Sequence, residues 1–421
     1  MSGPVEDGSR EERPIRTSAI VRHSANGARY GRPVAGNPTS RDYNKASVLD
    51  AVLSRAPLTR NELVELTGLS KATVSRAVEE LRADGVVVDG GVDQVTGRGR
   101  RSTYLDVPDT MGHVAGVSFG VQTTGVLVCD LRGREIHHVL VPTADHRDLM
   151  SAAQWLVELV GEASRSAPGP LRQVVVAVPG RVRTGTEILG PAEAMKAFAG
   201  SGLQGTLADL VDAPVLLESD ANASLLGILD EDATLGSAAL FSVSSILNFA
   251  SCADHELVRG RTPAFGDIGV LVSGVDNEVL DGLLSTSGLL RFARRRGLDL
   301  DRIEDLWMRP HDEACRAAVL EAFSTAMVTA VSAVAVTLDP ESVFFMGRLR
   351  PLVDEVLPDV RRRLDESLTT VPEITAPTQV LGLSVARGAV CACLRMAGDQ
   401  LRDAVLEERR QGQHAEEGAP A

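Results

Sequence analysis

Aromatic side chains make up only 3 % of the 421 residues, so the cores have to be filled mainly by Leu, Val and Ala. Cysteine is also scarce. Cys129, Cys252, Cys315, Cys391 and Cys393 are odd in number and irregular in spacing, which argues against a disulfide framework and fits a reducing cytoplasm. No apolar run follows the charged start MSGPVEDGSREER, so a secretion signal is not expected. The apolar stretches fall short of a membrane span or are interrupted by polar residues, and no membrane partner is expected. Net positive charge is missing as well. A formal charge of −14 keeps a chain from coating nucleic acid non-specifically. The imbalance is uneven, however. Residues 1–105 hold 16 Lys/Arg against 13 Asp/Glu, and the remainder holds 27 against 44. Any contact with DNA has to be led by the N-terminal region.

What is present is enough for two or three full-sized domains: hydrophobic residues reach 44 %. Residues 1–41 are rich in Gly, Pro, Ser and Arg and lack periodicity, and are expected to be a disordered tail. Arg10, Arg13, Arg16, Arg22, Arg29 and Arg32 there read as solvated charges, with brushing of DNA phosphates as the alternative. In NKASVLDAVLS, Val48, Leu49, Val52 and Leu53 share one helical face. Pro57 breaks that helix. Thr59 opens a second one, with Glu62 three residues on as a capping box, and Gly68 makes the turn after it. Ser70 caps a third helix, KATVSRAVEELRAD, which turns Val74, Ala77, Val78 and Leu81 inward and stops at Gly85. VVVDGG and STYLDV then form two strands around a basic loop. Residues 42–106 are therefore expected to be a winged helix-turn-helix, with 107–111 a short linker.

From 112 onward strands and helices alternate. Strands are expected at HVAGVSFG, TGVLVCDLRG, EIHHVLVP, QVVVAVPG, PVLLESD, SVFFMG and near 379–382, with a last helix over Val385–Ala397. This is an α/β architecture of two similar halves.

The third helix carries Lys71, Thr73, Ser75 and Arg76 near its N-terminus, where a major-groove helix meets base edges. Arg76 has the fork geometry to read guanine, and Lys71 suits a phosphate. Ser70 caps the helix, and a backbone N–H there can face a phosphate. The competing reading is a helix that only packs a small domain. In GRGRR, Arg98, Arg100 and Arg101 stand between glycines that let the backbone run close, as suits a minor groove; a merely solubilising loop is the alternative. The partner implied is double-stranded operator DNA. It would be bound by a homodimer or dimer of dimers on half-sites about 34 Å apart.

The chain resembles the ROK family (repressors, open reading frames, sugar kinases), in its transcriptional-regulator branch. The resemblance lies in LTRNELVELTGLSKATVSRAVEELRADGVV with GRGRRSTYL after it, and in VVVAVPGRV, ESDANASLLG, LVRGRTPAFGDIGVL and LDPESVFFMGRL, in that order. It implies a two-lobed actin-like ATPase (ribonuclease H-like) domain over 112–406. The larger lobe would span 238–384, a helix over 385–406 would return to the first lobe, and 407–421 would be a flexible tail. In the family's kinases a sugar and ATP meet in the cleft.

The family's phosphate-handling residues are degraded here. Its Asp-x-Gly-x-Thr corresponds to Ser118-Phe119-Gly120-Val121-Gln122, without the carboxylate. Its second glycine-rich loop corresponds to Ser244–Ala250, without a glycine, so side chains crowd the N–H groups that phosphate would need. Asp220 matches the catalytic base, and a helix N-cap is its alternative role; Asn222 follows it, and Ser219 replaces a sugar-contacting Asn. Asp267-Ile268-Gly269-Val270 stands for Glu-x-Gly-His, and SGVDNEVLDGLLSTSG lacks the zinc cysteines. Cys391 and Cys393 read as core packing. Asp220, Asn222 and Asp267 are thus the candidate effector-binding residues, with no catalytic residue, metal or cofactor expected. Three functions compete: a repressor of carbohydrate-related genes answering to a sugar or sugar phosphate, a ligand-independent regulator whose large domain serves dimerisation, and an ATP-dependent sugar kinase. Because four zinc donors are lacking, elemental analysis of protein from metal-free buffer is expected to return no stoichiometric zinc; one zinc per chain would refute this.

Overall fold

A computed structural model of the chain describes residues 40–92, 103–146, 148–262, 264–310, 312–377 and 381–417. The tail arginines and the wing arginines Arg98, Arg100 and Arg101 lie outside the described residues.

Helix α1 (Ser40–Arg55) buries Val48, Leu49 and Val52. Strand β1 (Leu58–Thr59) leads into α2 (Arg60–Thr67). The capping box is formed in full. The Glu62 N–H donates to Thr59 Oγ1 at 3.3 Å, and the Thr59 N–H donates to Glu62 Oε2 at 2.7 Å. Gly68 ends α2 at φ +67°, a left-handed conformation that a glycine adopts without strain. Helix α3 (Lys71–Ala83) follows, and buries the four residues its periodicity picks out. Strands β2 (Val88–Val92) and β3 (Thr103–Asp106) pair antiparallel, and β1 joins the other side of β3. Two ion pairs that no periodicity reveals fix α1 on α3: Arg41 with Glu80, and the buried Lys45 with Asp84.

The remainder repeats one plan twice. Strands β4 (His113–Phe119), β5 (Thr123–Asp130) and β6 (Glu135–Pro142) form antiparallel hairpins. After α4 (Leu149–Ala163), strand β7 (Leu171–Val178) lies parallel to β4. A small hairpin, β8 (Arg181–Arg183) and β9 (Glu187–Leu189), and helix α5 (Gly202–Leu210) precede β10 (Val215–Ser219), which adds parallel to β7. The strand order is β10-β7-β4-β5-β6. Helix α6 (Asp220–Glu231) then leads into the second sheet. There β11 (Ala238–Val243), β12 (Leu247–Ala253) and β13 (Glu256–Leu257) are the hairpins, and β14 (Ser342–Met346) and β15 (Glu373–Thr375) the parallel additions, in the order β13-β12-β11-β14-β15. Two sheets with the same order and the same switch from antiparallel to parallel make the two-lobed actin-like architecture.

Helices α7 (Leu280–Leu284), α8 (Thr286–Arg295), α9 (Asp305–Met308), α10 (Glu313–Leu338) and α11 (Arg350–Ser367) surround the second sheet. By length and composition alone α10 is long and apolar enough to cross a membrane, although Ser324, Thr325, Thr329 and Ser332 interrupt its apolar run as expected. Half of its apolar stretch is buried, with Phe323, Met327 and Val331 packed in one core with Phe241 and Phe345. The strand expected near 379–382 lies instead at β15. Pro372 and Pro377 flank β15, which pairs Ile374 with Val343. Residues 378–380 lie outside the described residues, and Leu381 already opens a helix.

That helix, α12 (Leu381–Glu417), outruns Val385–Ala397 at both ends. Beyond Ala397 the sequence is rich in Leu, Arg, Gln, Glu and Ala, which sustain a helix without a fully buried face. Its first half is wedged between α6 and the first sheet at backbone contact. A Cβ on Gly388 would lie 1.6 Å from the Ala223 carbonyl oxygen, and one on Gly116 would lie 2.3 Å from that of Ala386. Arg387 donates to Asp230 of α6 at 2.9 Å. Further along, Gly398 meets Leu53 of α1, and Arg402 reaches Asp50 at 3.5 Å. The linker is clamped separately by Arg132, which pairs with Asp106 at 2.9 Å, with Asp130 at 2.8 Å and with Asp109. One apolar core accordingly runs from α1 and α3 through Val107 and α12 into the first lobe. Gly388→Ala is expected to cost about 1–3 kcal/mol through overpacking. Thermal denaturation checks it, and an unchanged melting temperature would contradict the contact.

Candidate functional site

Two places gather the candidate residues. The first is the N-terminal end of α3. Ser70 Oγ accepts the Thr73 N–H at 3.2 Å and lies 2.8 Å from Thr73 Oγ1, so both hydroxyls are engaged in the cap. Lys71, Ser75 and Arg76 are exposed. Cations nearby are neutralised: Arg60 pairs with Glu79 at 2.8 Å and Arg82 with Asp89 at 2.8 Å. Lys71 and Arg76, by contrast, make no ion pair among the described residues. An exposed, rigidly capped helix end bearing two uncompensated cations is what an anionic polymer would meet first.

The second place is the cleft between the lobes. Asp220 does not cap α6: Ser219 does, accepting the Asn222 N–H at 3.5 Å. Asp220 is the first helical residue, and its Oδ1 accepts from Asn248 Nδ2 of β12, on the opposite sheet, at 2.6 Å. Burial lifts its carboxyl to about 6, while hydrogen bonds from Asn248, the Ala221 N–H and Ser242 pull the other way. Asn222 is turned to Glu218, donating to Oε1 at 2.9 Å, and the Ser219 N–H donates to that same oxygen at 2.9 Å. Arg259 of the second lobe donates to Glu218 Oε2 at 2.6 Å. Asp267 pairs with Arg181 of the first lobe. Asp220, Asn222 and Asp267 each have a partner that the sequence reading missed: Asn248 for Asp220, Glu218 (itself held by Arg259) for Asn222, and Arg181 for Asp267. No spacing pattern could have found them, because Glu218 and Arg259 lie 41 residues apart and on different lobes.

The two segments that the resemblance equates with phosphate loops make hydrogen bonds within the chain. Gly120 closes a tight turn by donating to the Thr123 carbonyl at 3.2 Å, and Ser118 is buried within β4. In the second loop, the Leu247 N–H donates to the Asp281 carboxylate at 2.8 Å. Gln122 Oε1, with its amide oriented to satisfy the guanidinium, accepts from Arg348 Nη1 at 2.7 Å. Among the described residues no three His, Cys, Asp or Glu side chains gather into a metal-binding group.

The raised Asp220 carboxyl has a consequence for stability. A carboxyl whose folded-state value exceeds its unfolded value binds its proton more firmly in the native state, so its contribution is fullest below about pH 4 and is lost as pH rises through about 6. Asp220→Asn is therefore expected to gain stability relative to the parent as pH rises from 4 to 7. Urea midpoints of the two proteins across that range decide it; a constant difference would refute it.

Comparison with known proteins places this geometry. A model of the MarR family matches residues 42–98, and a model of the ROK family matches residues 114–390. A xylose repressor of Caldicellulosiruptor bescii is 27 % identical over 242 residues, 56 % of this chain and 60 % of that protein. The chain thus spans about 60 % of the length of that relative. A solved ROK family transcriptional regulator, a homologue of the Escherichia coli MLC protein, superposes with a TM-score of 0.68 at 15 % identity, covering 87 % of this chain and 99 % of that one. A ROK hexokinase from Thermus thermophilus superposes at 0.56 and 19 % identity, covering 68 % and 99 %. The fold is thus shared by a regulator and by a kinase.

Proposed function

The chain belongs to the ROK family, and on that footing we propose that it is a sequence-specific DNA-binding repressor of carbohydrate-related genes. Residues 42–106 are the DNA-reading unit and 112–406 the sensing and assembly unit. The observation that carries the reading is the N-terminal end of α3, where Lys71 and Arg76 stand exposed and without an ion pair among the described residues. Arg76 reads a base edge, Lys71 holds a phosphate, and Ser70, Thr73 and Ser75 set the approach. Arg98, Arg100 and Arg101 extend the contact from the wing. The similarity to xylose repressors supports the same reading. A homodimer adds a second small unit on a second half-site, and so compensates for the modest affinity of one.

The large domain senses rather than phosphorylates. Phosphoryl transfer needs backbone N–H groups and a metal placed around the nucleotide. Here the Leu247 N–H is taken by Asp281, and Ser118 replaces the metal-placing carboxylate. Asp220, Asn222 and Asp267 line the cleft for a sugar or sugar-phosphate effector.

Arg76→Ala is expected to cost about 1–3 kcal/mol of operator binding and to relax discrimination at one base position. Lys71→Ala is expected to weaken all sequences evenly and to lower the salt slope by about one. Binding titrations against operator and scrambled duplexes at several salt concentrations test both. Parent-like specificity in the Arg76 variant would remove α3 from the interface.

A further inference from the structure

The stretch that follows β13 stays against the second lobe, where Gly266 lies beside the Phe249 carbonyl, and is pinned as a strap to the first lobe near both of its ends. At one end Arg259 donates to Glu218, at 2.6 Å to Oε2 and 3.5 Å to Oε1. At the other, Asp267 pairs with Arg181 of β8. Between these pins Phe265 is packed so tightly over Gly260 that a Cβ there would lie 1.9 Å from the Phe265 Cβ. The two arginine side chains keep 31 % and 30 % of their surface exposed, so they border the cleft instead of being sealed in a core.

The two carboxylates differ in how much they need their arginines. Glu218 is only 7 % exposed and already holds two other donors, the Ser219 N–H and the Asn222 amide. It stays hydrogen-bonded if Arg259 turns away. Asp267 is 35 % exposed and can be taken up by water. A partly exposed pair such as Arg181–Asp267 exchanges one carboxylate for another at little net cost, whereas Glu218 relies on its two remaining donors. A guanidinium offers a planar fork that fits carboxylate and phosphate oxygens alike. Close along the chain to Glu218 are groups suited to hydroxyls: Asn222, which donates to Glu218, and Asp220, which accepts from Asn248.

We propose that Arg181 and Arg259 are the anion-binding residues of the effector site, and that its ligand is a polyhydroxylated anion which displaces Asp267 and Glu218 from them and so releases the strap. The proposal rests on the sensing role given to the cleft, and departs from it at Asp267, which competes with the ligand instead of contacting it. The shared chemistry is a hydroxyl-rich body with a carboxylate or phosphate, and release of the strap supplies the difference between two lobe arrangements that an effector has to exploit.

Calorimetric titration of the full chain with glucose, xylose, glucuronate, glucose 6-phosphate and inorganic phosphate tests it. Glucuronate or glucose 6-phosphate is expected to bind at least about tenfold more tightly than glucose or xylose, the better of the two identifying the anionic group, and inorganic phosphate alone to bind weakly. Arg181→Met and Arg259→Met are each expected to weaken the anion about tenfold. Asp267→Asn, which removes a competitor, is expected to tighten it several-fold, and this variant carries the test should an arginine variant fail to fold. Binding of neutral sugars as tight as that of the anions would overturn the proposal while leaving a sensing cleft in place. So would weaker anion binding by Asp267→Asn. Failure of every sugar to bind would overturn both.

Discussion

The fold turns on one backbone-to-backbone contact. Helix α12 can lie between α6 and the first sheet only because Gly388 and Gly116 carry no Cβ where the Ala223 and Ala386 carbonyls approach. That closeness puts α6 within reach of both sheets. On one side it buries Ala223 and Leu226 against α12, and on the other it buries Ala221, Leu225 and Ile228 against the second sheet. Asp220, at the start of α6, is thereby held where β12 can present Asn248 to it. Interiors are packed densely enough that a displaced helix cannot be absorbed locally. The position of the cleft residues and the seat of the winged domain therefore depend on the same few ångströms.

The polar groups of the cleft are satisfied from within the chain. Where phosphate would accept from a loop N–H, the Asp281 carboxylate accepts from Leu247. Where a metal-placing carboxylate would stand, the neighbouring turn offers Gln122 to Arg348. Where hydroxyl-binding groups would wait for a ligand, Glu218 and Asp267 have taken arginines from across the cleft. Each substitution keeps the polar groups of a semi-buried site satisfied, which a cleft has to do whether or not it binds anything.

What was legible in the sequence was what lies close along the chain. The capping box at Thr59 and Glu62, the turn at Gly68 and the buried face of α3 follow from spacings of three or four residues, and the structure has them. The alternation of strands along 112–220 was legible for the same reason. The misplaced strand at β15 shows the limit: Glu373–Thr375 is only three residues, and pairing with β14 rather than its own pattern makes it a strand. Local reasoning also made Asp220 a possible cap, although Ser219, one residue earlier, takes that role. The cleft partners Arg181, Asn248 and Arg259 carry no signature because their meaning arises only when the two lobes face each other. Lys45 is similar: a lysine on a helix reads as solvated until Asp84 is brought beside it.

Arg132 gathers Asp106, Asp109 and Asp130, one from the end of the wing strand, one from the linker and one from the large domain. With α1 seated on α12, the small N-terminal domain is anchored on both flanks. It is therefore not an interchangeable head on a tether. A winged domain transplanted from a relative would keep its attitude only if it brought a carboxylate for Arg132 and a face on its first helix complementary to the one that Leu53 and Asp50 now meet. Exchange of N-terminal domains between such proteins, in the laboratory or in evolution, is constrained by this joint as much as by α3.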